Sequence, residues 1–295
     1  MAVRVGINPL TWTNDDMPEL GGETPLETCL AEAKEAGFEG VEMGHKFPRH
    51  ADELRSILAH HGLDLVSGWY SAQLLERAAD DEIEAVADHL ELLAEMGCRT
   101  MVFAEVTGCV HGDHGTPVSR RPRLSDDQWT DFGERLTVVA EHLVKRGIKM
   151  AYHHHMGTVV ETEEEIDRLM AVTGDAVGLL LDAGHLVYAG GDPVTVARRH
   201  GRRINHVHCK DIRPDVLKQV RAADKSFLDS VLDGVFTVPG DGGIPFAEML
   251  GALVPHGYGG WLVVEAEQDP AKAHPLTYAR KGHAGVLAAV AEAGL

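Results

Sequence analysis

An α/β fold, a single (β/α)8 TIM barrel, is predicted from three features of the sequence. Eight short apolar runs of strand length alternate with amphipathic runs of helix length. Glycine closes most of the helical runs. Residues able to bind a metal or carry protons gather at the C-terminal ends of the strand runs and are scarce at their N-terminal ends. Such alternation means crossover units and a parallel sheet. Eight units within 295 residues favour a closed barrel over an open doubly wound sheet. No GxGxxG follows the first run, which weakens a dinucleotide-binding reading. No Pro- or Ser-rich linker divides the chain. Residues 1–295 are therefore expected to form one barrel domain, with long loops at about 105–124 and 211–245.

The elements follow in order. Val3 to Ile7 is a β-branched run stopped by Asn8-Pro9, the first strand. Thr24 is the expected N-cap of a helix with Pro25 at its first position, and Gly37 closes it. Phe38 to Met43 is strand two, and Ala51 to His61 is its helix, closed by Gly62. Leu63 to Trp69 is strand three, followed by a helix from Asp81 to Met96 with Ile83, Val86, Leu90 and Leu93 on one face. Arg99 to Ala104 is strand four. Ser125 caps a helix from Asp126 to Arg146. Ile148 to His153 is strand five, with a helix over Glu163 to Val172; Val177 to Asp182 is strand six, with a helix over Pro193 to His200. Ile204 to Cys209 is strand seven. The excursion after it should hold helices near Pro214 to Ala223 and Lys225 to Asp233. A helix over Phe246 to His256, strand eight over Trp261 to Glu265, and a last helix over Ala271 to Ala293 complete the chain.

Composition narrows the function. The net charge of −19 with neutral histidines repels phosphate backbones and anionic membranes, so no nucleic acid and no membrane is expected as a partner. Cys29, Cys98, Cys109 and Cys209 form no CxxC pair, so neither a zinc–thiolate site nor a disulfide framework is indicated. Reduced thiols, the lack of a signal-like start and the lack of a long apolar run point to a cytoplasmic protein.

In such barrels chemistry sits at the C-terminal strand ends. Those ends carry Asn8 with Trp12 beyond, then Glu42 with His45 and Lys46, Trp69 and Tyr70, and Glu105. The second half adds His153 to His155, Asp182 with His185, His206 and His208 with Lys210, and Glu265 with Glu267. Singly, most have an ordinary explanation: a solvated strand end for Glu42 or Glu105, a core histidine for His154, a solvated loop for Glu267, exposure for His111 and His114. Ligand types at the ends of four successive strands are harder to assign to chance. Mixed imidazole and carboxylate donors suit Mn²⁺, Co²⁺, Fe²⁺ or Zn²⁺ better than Mg²⁺ or Ca²⁺. Strand alternation lets His153 and His155 share a face while His154 points away.

Asp182-Ala183-Gly184-His185, His206-Val207-His208-Cys209-Lys210-Asp211, Val263-Val264-Glu265, and Pro239-Gly240-Asp241-Gly242-Gly243 with Phe246 resemble motifs of the xylose-isomerase-like barrel superfamily. The resemblance implies metal ligands at His153, Asp182, His208 and Glu265, with manganese or cobalt as the expected ion. The family usually has Glu where this chain has His153. That removes an acid/base carboxylate of the ketose epimerases and weakens the epimerase and isomerase alternatives. Within the superfamily, Gly6 to Pro9, Asn14 to Asp16, Glu19 to Leu26, Gly44 to Arg49 and Tyr152 to Thr158 look like the myo-inosose-2 dehydratases of inositol catabolism. The implied reaction is loss of water from a cyclitol, 2-keto-myo-inositol, to give a trihydroxycyclohexane-1,2-dione by enolisation and β-elimination. Candidates for acid and base are His154, His155, Lys210 and Glu42, unranked. Asn8, Trp12, Lys46, Trp69, Glu105 and His185 are the expected substrate contacts. A homo-oligomer, dimer or tetramer, is the expected assembly.

Overall fold

Eight parallel strands close on themselves in a computed structural model that describes residues 3–295. They are β1 (Arg4–Ile7), β2 (Gly40–Met43), β3 (Asp64–Ala72), β4 (Thr100–Glu105), β5 (Lys149–His153), β6 (Val177–Asp182), β7 (Ile204–Cys209) and β8 (Trp261–Val264). Each strand pairs with its sequence neighbours, and β8 closes on β1 with Arg4 opposite Trp261 and Ile7 opposite Val264. This is the barrel that the alternation predicts.

Local chemistry explains most boundaries. Helix Asp126–Lys145 begins with a reciprocal capping box between Ser125 and Gln128 and buries Trp129, Phe132, Leu136, Val139 and Leu143 along one face. Gly62 ends helix Ala51–His61 with φ of 64°, a conformation that costs glycine nothing. Val102, Ala151 and Leu180 form a small apolar cluster separate from the main core, with Trp69 packed on it. Contacts of this kind between neighbouring strands fill a barrel with side chains.

Some expectations shift. Thr24 is not the N-cap: Pro25 takes that place in extended backbone, Leu26 starts the helix, and no side chain caps it. The helix over 81–96 is two pieces, Ala79–Ala85 and Ala87–Glu95, meeting at Val86. β3 runs three residues past Trp69, to Ala72, because it pairs with β4 as far as Glu105. An unexpected helix, Ala183–Ala189, follows β6 directly, with the Asp182 side chain accepting from the His185 N–H at 2.8 Å. The excursion after β7 contains helices Pro214–Ala222 and Phe227–Leu232, enclosed by a two-stranded antiparallel ladder of Asp211–Ile212 with Phe236–Thr237. Pairs of two residues are too short to leave a periodic signal.

Candidate active site

The C-terminal mouth of the barrel holds a cavity of about 290 Å³, lined among others by Asn8, Glu42, Trp69, His153, His208 and Glu265. At its base the donor atoms of His153, Asp182, His208 and Glu265 all lie within 4.8 Å of one another, and all four residues are buried. His208 Nδ1 lies 2.9 Å from Glu265 and 3.5 Å from Asp182 Oδ2, and His153 Nε2 lies 3.7 Å from the same Asp182 oxygen.

Neighbours orient these side chains. His153 Nδ1 is 2.6 Å from the His154 carbonyl, so it carries the proton and leaves Nε2 bare toward Asp182. His208 Nε2 lies 3.2 Å from Glu42, which places its proton there and turns Nδ1 to the cluster. Glu42 also accepts from Asn8 Nδ2 at 2.8 Å and meets His206 Nε2 at 2.8 Å. Asn8 donates in addition to Glu265 at 3.0 Å, tying β1 to β2 and β8.

Burial opposes charge throughout, and the partners decide the outcome. Burial holds Glu42 up, but the charge of His208 and the hydrogen bond from His206 pull it well below the usual carboxylate range. Burial likewise opposes ionised Glu265, yet His208 and Lys210 draw it down. His208 is raised well above an ordinary histidine because Glu265 and Glu42 outweigh its burial. His153, His155 and His185 are driven down, first by burial and then by cationic neighbours.

The structure sorts the predicted residues. Asn8, Glu42, Trp69, His153, His155, His208 and Glu265 reach the cavity. Seven others do not line it; Asp182 is one, lying beneath the cavity floor with its carboxylate in the four-residue cluster. His154 alternates away from its neighbours, and its Nε2 accepts the Asp182 backbone N–H at 3.3 Å. Trp12 follows a 3-10 turn at Pro9–Thr11 and donates its indole N–H to Glu32 at 2.6 Å. The Lys46 ammonium is spent on the carbonyls of Gly21, Gly22 and Thr24, bracing the loop before the first helix. Glu105 accepts from the backbone of Leu74 and Thr107 at 2.6 and 2.8 Å, so it is a loop anchor. His185 lies behind His155, ring centroids 3.9 Å apart, and Lys210 donates to its Nε2 at 2.8 Å.

Three residues expected in solvent, or not singled out as site residues, enter the wall. Glu267 is buried, accepts from Lys210 at 2.9 Å, and is pushed by burial up to about 7. His111 comes from the loop after β4 and packs edge-on to His155 at 5.0 Å. Asp16 sits 3.9 Å from it. A Gly-rich loop and a polar loop carry no periodicity, so the sequence held no sign that they fold over the mouth.

The xylose isomerase-like TIM barrel family model matches residues 30–288. The chain is 53% identical to the rhizopine catabolism protein MocC of Rhizobium meliloti, a match covering 100% of this chain and 90% of that protein. It is 45% identical to the inosose dehydratase of Geobacillus thermodenitrificans (strain NG80-2), over 95% of this chain and 94% of that one. Among solved structures, the IOLI protein with a bound zinc atom superposes with a TM-score of 0.67 at 16% identity, over 98% of this chain and 99% of that one. That last likeness is one of fold. The chain belongs to the xylose isomerase-like TIM barrel family and, within it, to the relatives that include the inosose dehydratases.

Proposed function

We propose that the protein is a hydro-lyase that converts 2-keto-myo-inositol to a trihydroxycyclohexane-1,2-dione and water, using one divalent cation held by His153, Asp182, His208 and Glu265. The convergence of those four side chains inside a cavity sized for one six-membered ring carries the reading. The residues at the site fit a cation. Among the described residues Asp182 Oδ2 has no hydrogen-bond partner, and it is buried and aimed into the cluster. Unsatisfied buried polar atoms are costly and call for a missing partner. Two imidazoles, two carboxylates and no thiolate suit a divalent ion such as Mn²⁺, Co²⁺, Fe²⁺ or Zn²⁺, and manganese or cobalt is the choice the resemblance implies. Relatives named inosose dehydratase, matched over nearly the whole chain, support the choice of reaction. The bound cation would polarise the ketone and acidify the adjacent C–H.

The chain supplies the rest. Asn8 holds Glu42 and Glu265 in place. Trp69 stands edge-on to His153 and His155 at 5.4 and 5.6 Å, offering an apolar wall to the C–H face of a cyclitol. His155 donates from Nδ1 to the Met156 carbonyl at 2.8 Å, so Nε2 is free to accept the proton from carbon. Glu267, raised to about 7, holds a proton near neutral pH and delivers it to the departing hydroxyl, which leaves as water.

Incubation of the metal-loaded protein with 2-keto-myo-inositol should produce the ultraviolet absorbance of a conjugated dione enol. Chelation should abolish it and Mn²⁺ or Co²⁺ restore it. No dione from metal-loaded protein would defeat the proposal. The 53% match to MocC favours a second assignment, to rhizopine breakdown. A kcat/KM for rhizopine above that for inosose would select it.

A further inference from the structure

Beside the four-residue cluster lies a second convergence of donors, formed by His155, His185 and Glu267, all buried and with ligand atoms within 4.8 Å of one another. The Lys210 ammonium stands against two of them, His185 and Glu267. Its Nζ is 2.7 Å from Glu265 Oε1, 2.9 Å from Glu267 Oε2, 2.8 Å from His185 Nε2 and 3.7 Å from Asp182 Oδ2. Two carboxylates and an imidazole around one cationic centre, with a further carboxylate oxygen beyond, are what a divalent ion would meet there. That Asp182 oxygen is itself buried and lacks a hydrogen-bond partner. The chain makes room for the lysine deliberately: a Cβ at Gly184 would stand 2.6 Å from Lys210 Cγ. We propose that the Lys210 ammonium is a tethered cation in the second cation position of this cage, and that it holds the site to one divalent ion per chain.

Glu265 then serves both centres, giving Oε1 to Lys210 and presenting Oε2 to His208 and the first site. Glu267, which accepts a hydrogen bond from Lys210 through Oε2, stays off the first ion and remains available to the cavity it lines. An ammonium cannot bind a substrate oxygen as a Lewis acid, so the substrate is offered one metal only. This inference rests on the metal reading above, and the test separates the two. Manganese per chain is counted by mass spectrometry after gel filtration, and the paramagnetic resonance spectrum is recorded. The native chain should carry one uncoupled Mn²⁺. Lys210→Ala should carry two, with the signal of a spin-coupled pair, and ethylammonium should displace one of them. A folded Lys210→Ala with one Mn²⁺, or a native chain with two, overturns the proposal. A native chain with none overturns the metal reading itself. Where Lys210→Ala does not fold, recovery of its folded state as Mn²⁺ is added to two equivalents supports the proposal, and failure of Mn²⁺ to recover it overturns it.

Discussion

Arg121 offers a stringent test of how the loop over the mouth is held. It belongs to the long loop after β4 yet is buried. Its guanidinium donates to both oxygens of Glu165 at 2.8 Å and to the Thr158 carbonyl at 3.0 Å, and its Nε faces Glu161 at 3.2 Å. Thr158 and Glu161 lie just past the three histidines, so Arg121 ties the β4 loop to the segment carrying His155. Arg121→Ala would take the buried cation from Glu161 and Glu165 and leave the Thr158 carbonyl without this donor. Breaking a buried ion pair costs about 3–5 kcal/mol and an orphaned buried acceptor about 1–3, with overlap between them, so about 5 kcal/mol is expected. The loss should depend on pH. Burial raises Glu161 to about 7 even with Arg121 opposing it. Its folded value therefore lies above its unfolded one. Its contribution to stability is complete below the unfolded value and is lost as pH rises through about 7, a swing of about 3 kcal/mol. Without Arg121 the carboxyl rises further, so the variant should suffer more at pH 8 than at pH 5. Urea unfolding at the two pH values measures both quantities. A destabilisation below about 1 kcal/mol, or one equal at the two pH values, would refute the reasoning.

Three further outcomes follow from the site. Glu42→Gln removes the carboxylate that sets the His208 tautomer, so metal affinity should weaken about 10–100-fold by competitive chelator titration, while Glu42→Asp loses less. Gly184→Ala places a methyl 2.6 Å from Lys210 Cγ; dione formation should fall and thermal stability drop by about 1–3 kcal/mol, whereas Gly251→Ala, inside helix Phe246–Leu253 with open space at its Cβ, should leave dione formation unchanged and stabilise by up to about 1 kcal/mol. His155→Gln should cut kcat for dione formation about 10²–10⁴-fold with metal content unchanged; His154→Gln, behind the wall, should affect stability more than kcat.

The strand ends show how legible the site was. His153, Asp182, His208 and Glu265 each end or closely follow an apolar run, and strand periodicity brings such positions to one rim. Choosing His208 over His206 took the resemblance, because both share one parity; the structure shows that Glu42 receives His206 and turns His208 inward. Trp12 and Lys46 were misplaced because a side chain beyond a strand end follows its loop, and both loops turn back toward the first helix region. Glu267 and His111 were missed for the converse reason, since polar loop residues ordinarily face water.

The sequence by itself determined the barrel, the order of its strands and the strand ends at which polar side chains gather. These depend on periodicities of two and 3.6 residues that local sterics impose. Only the tertiary structure decided which polar residues are buried together. Lys210 lies among Glu265, Glu267 and His185 because three strand ends and a helix meet there. Pairings across about 25 to 57 positions depend on strand register and loop path, and neither leaves a trace in the spacing of residues.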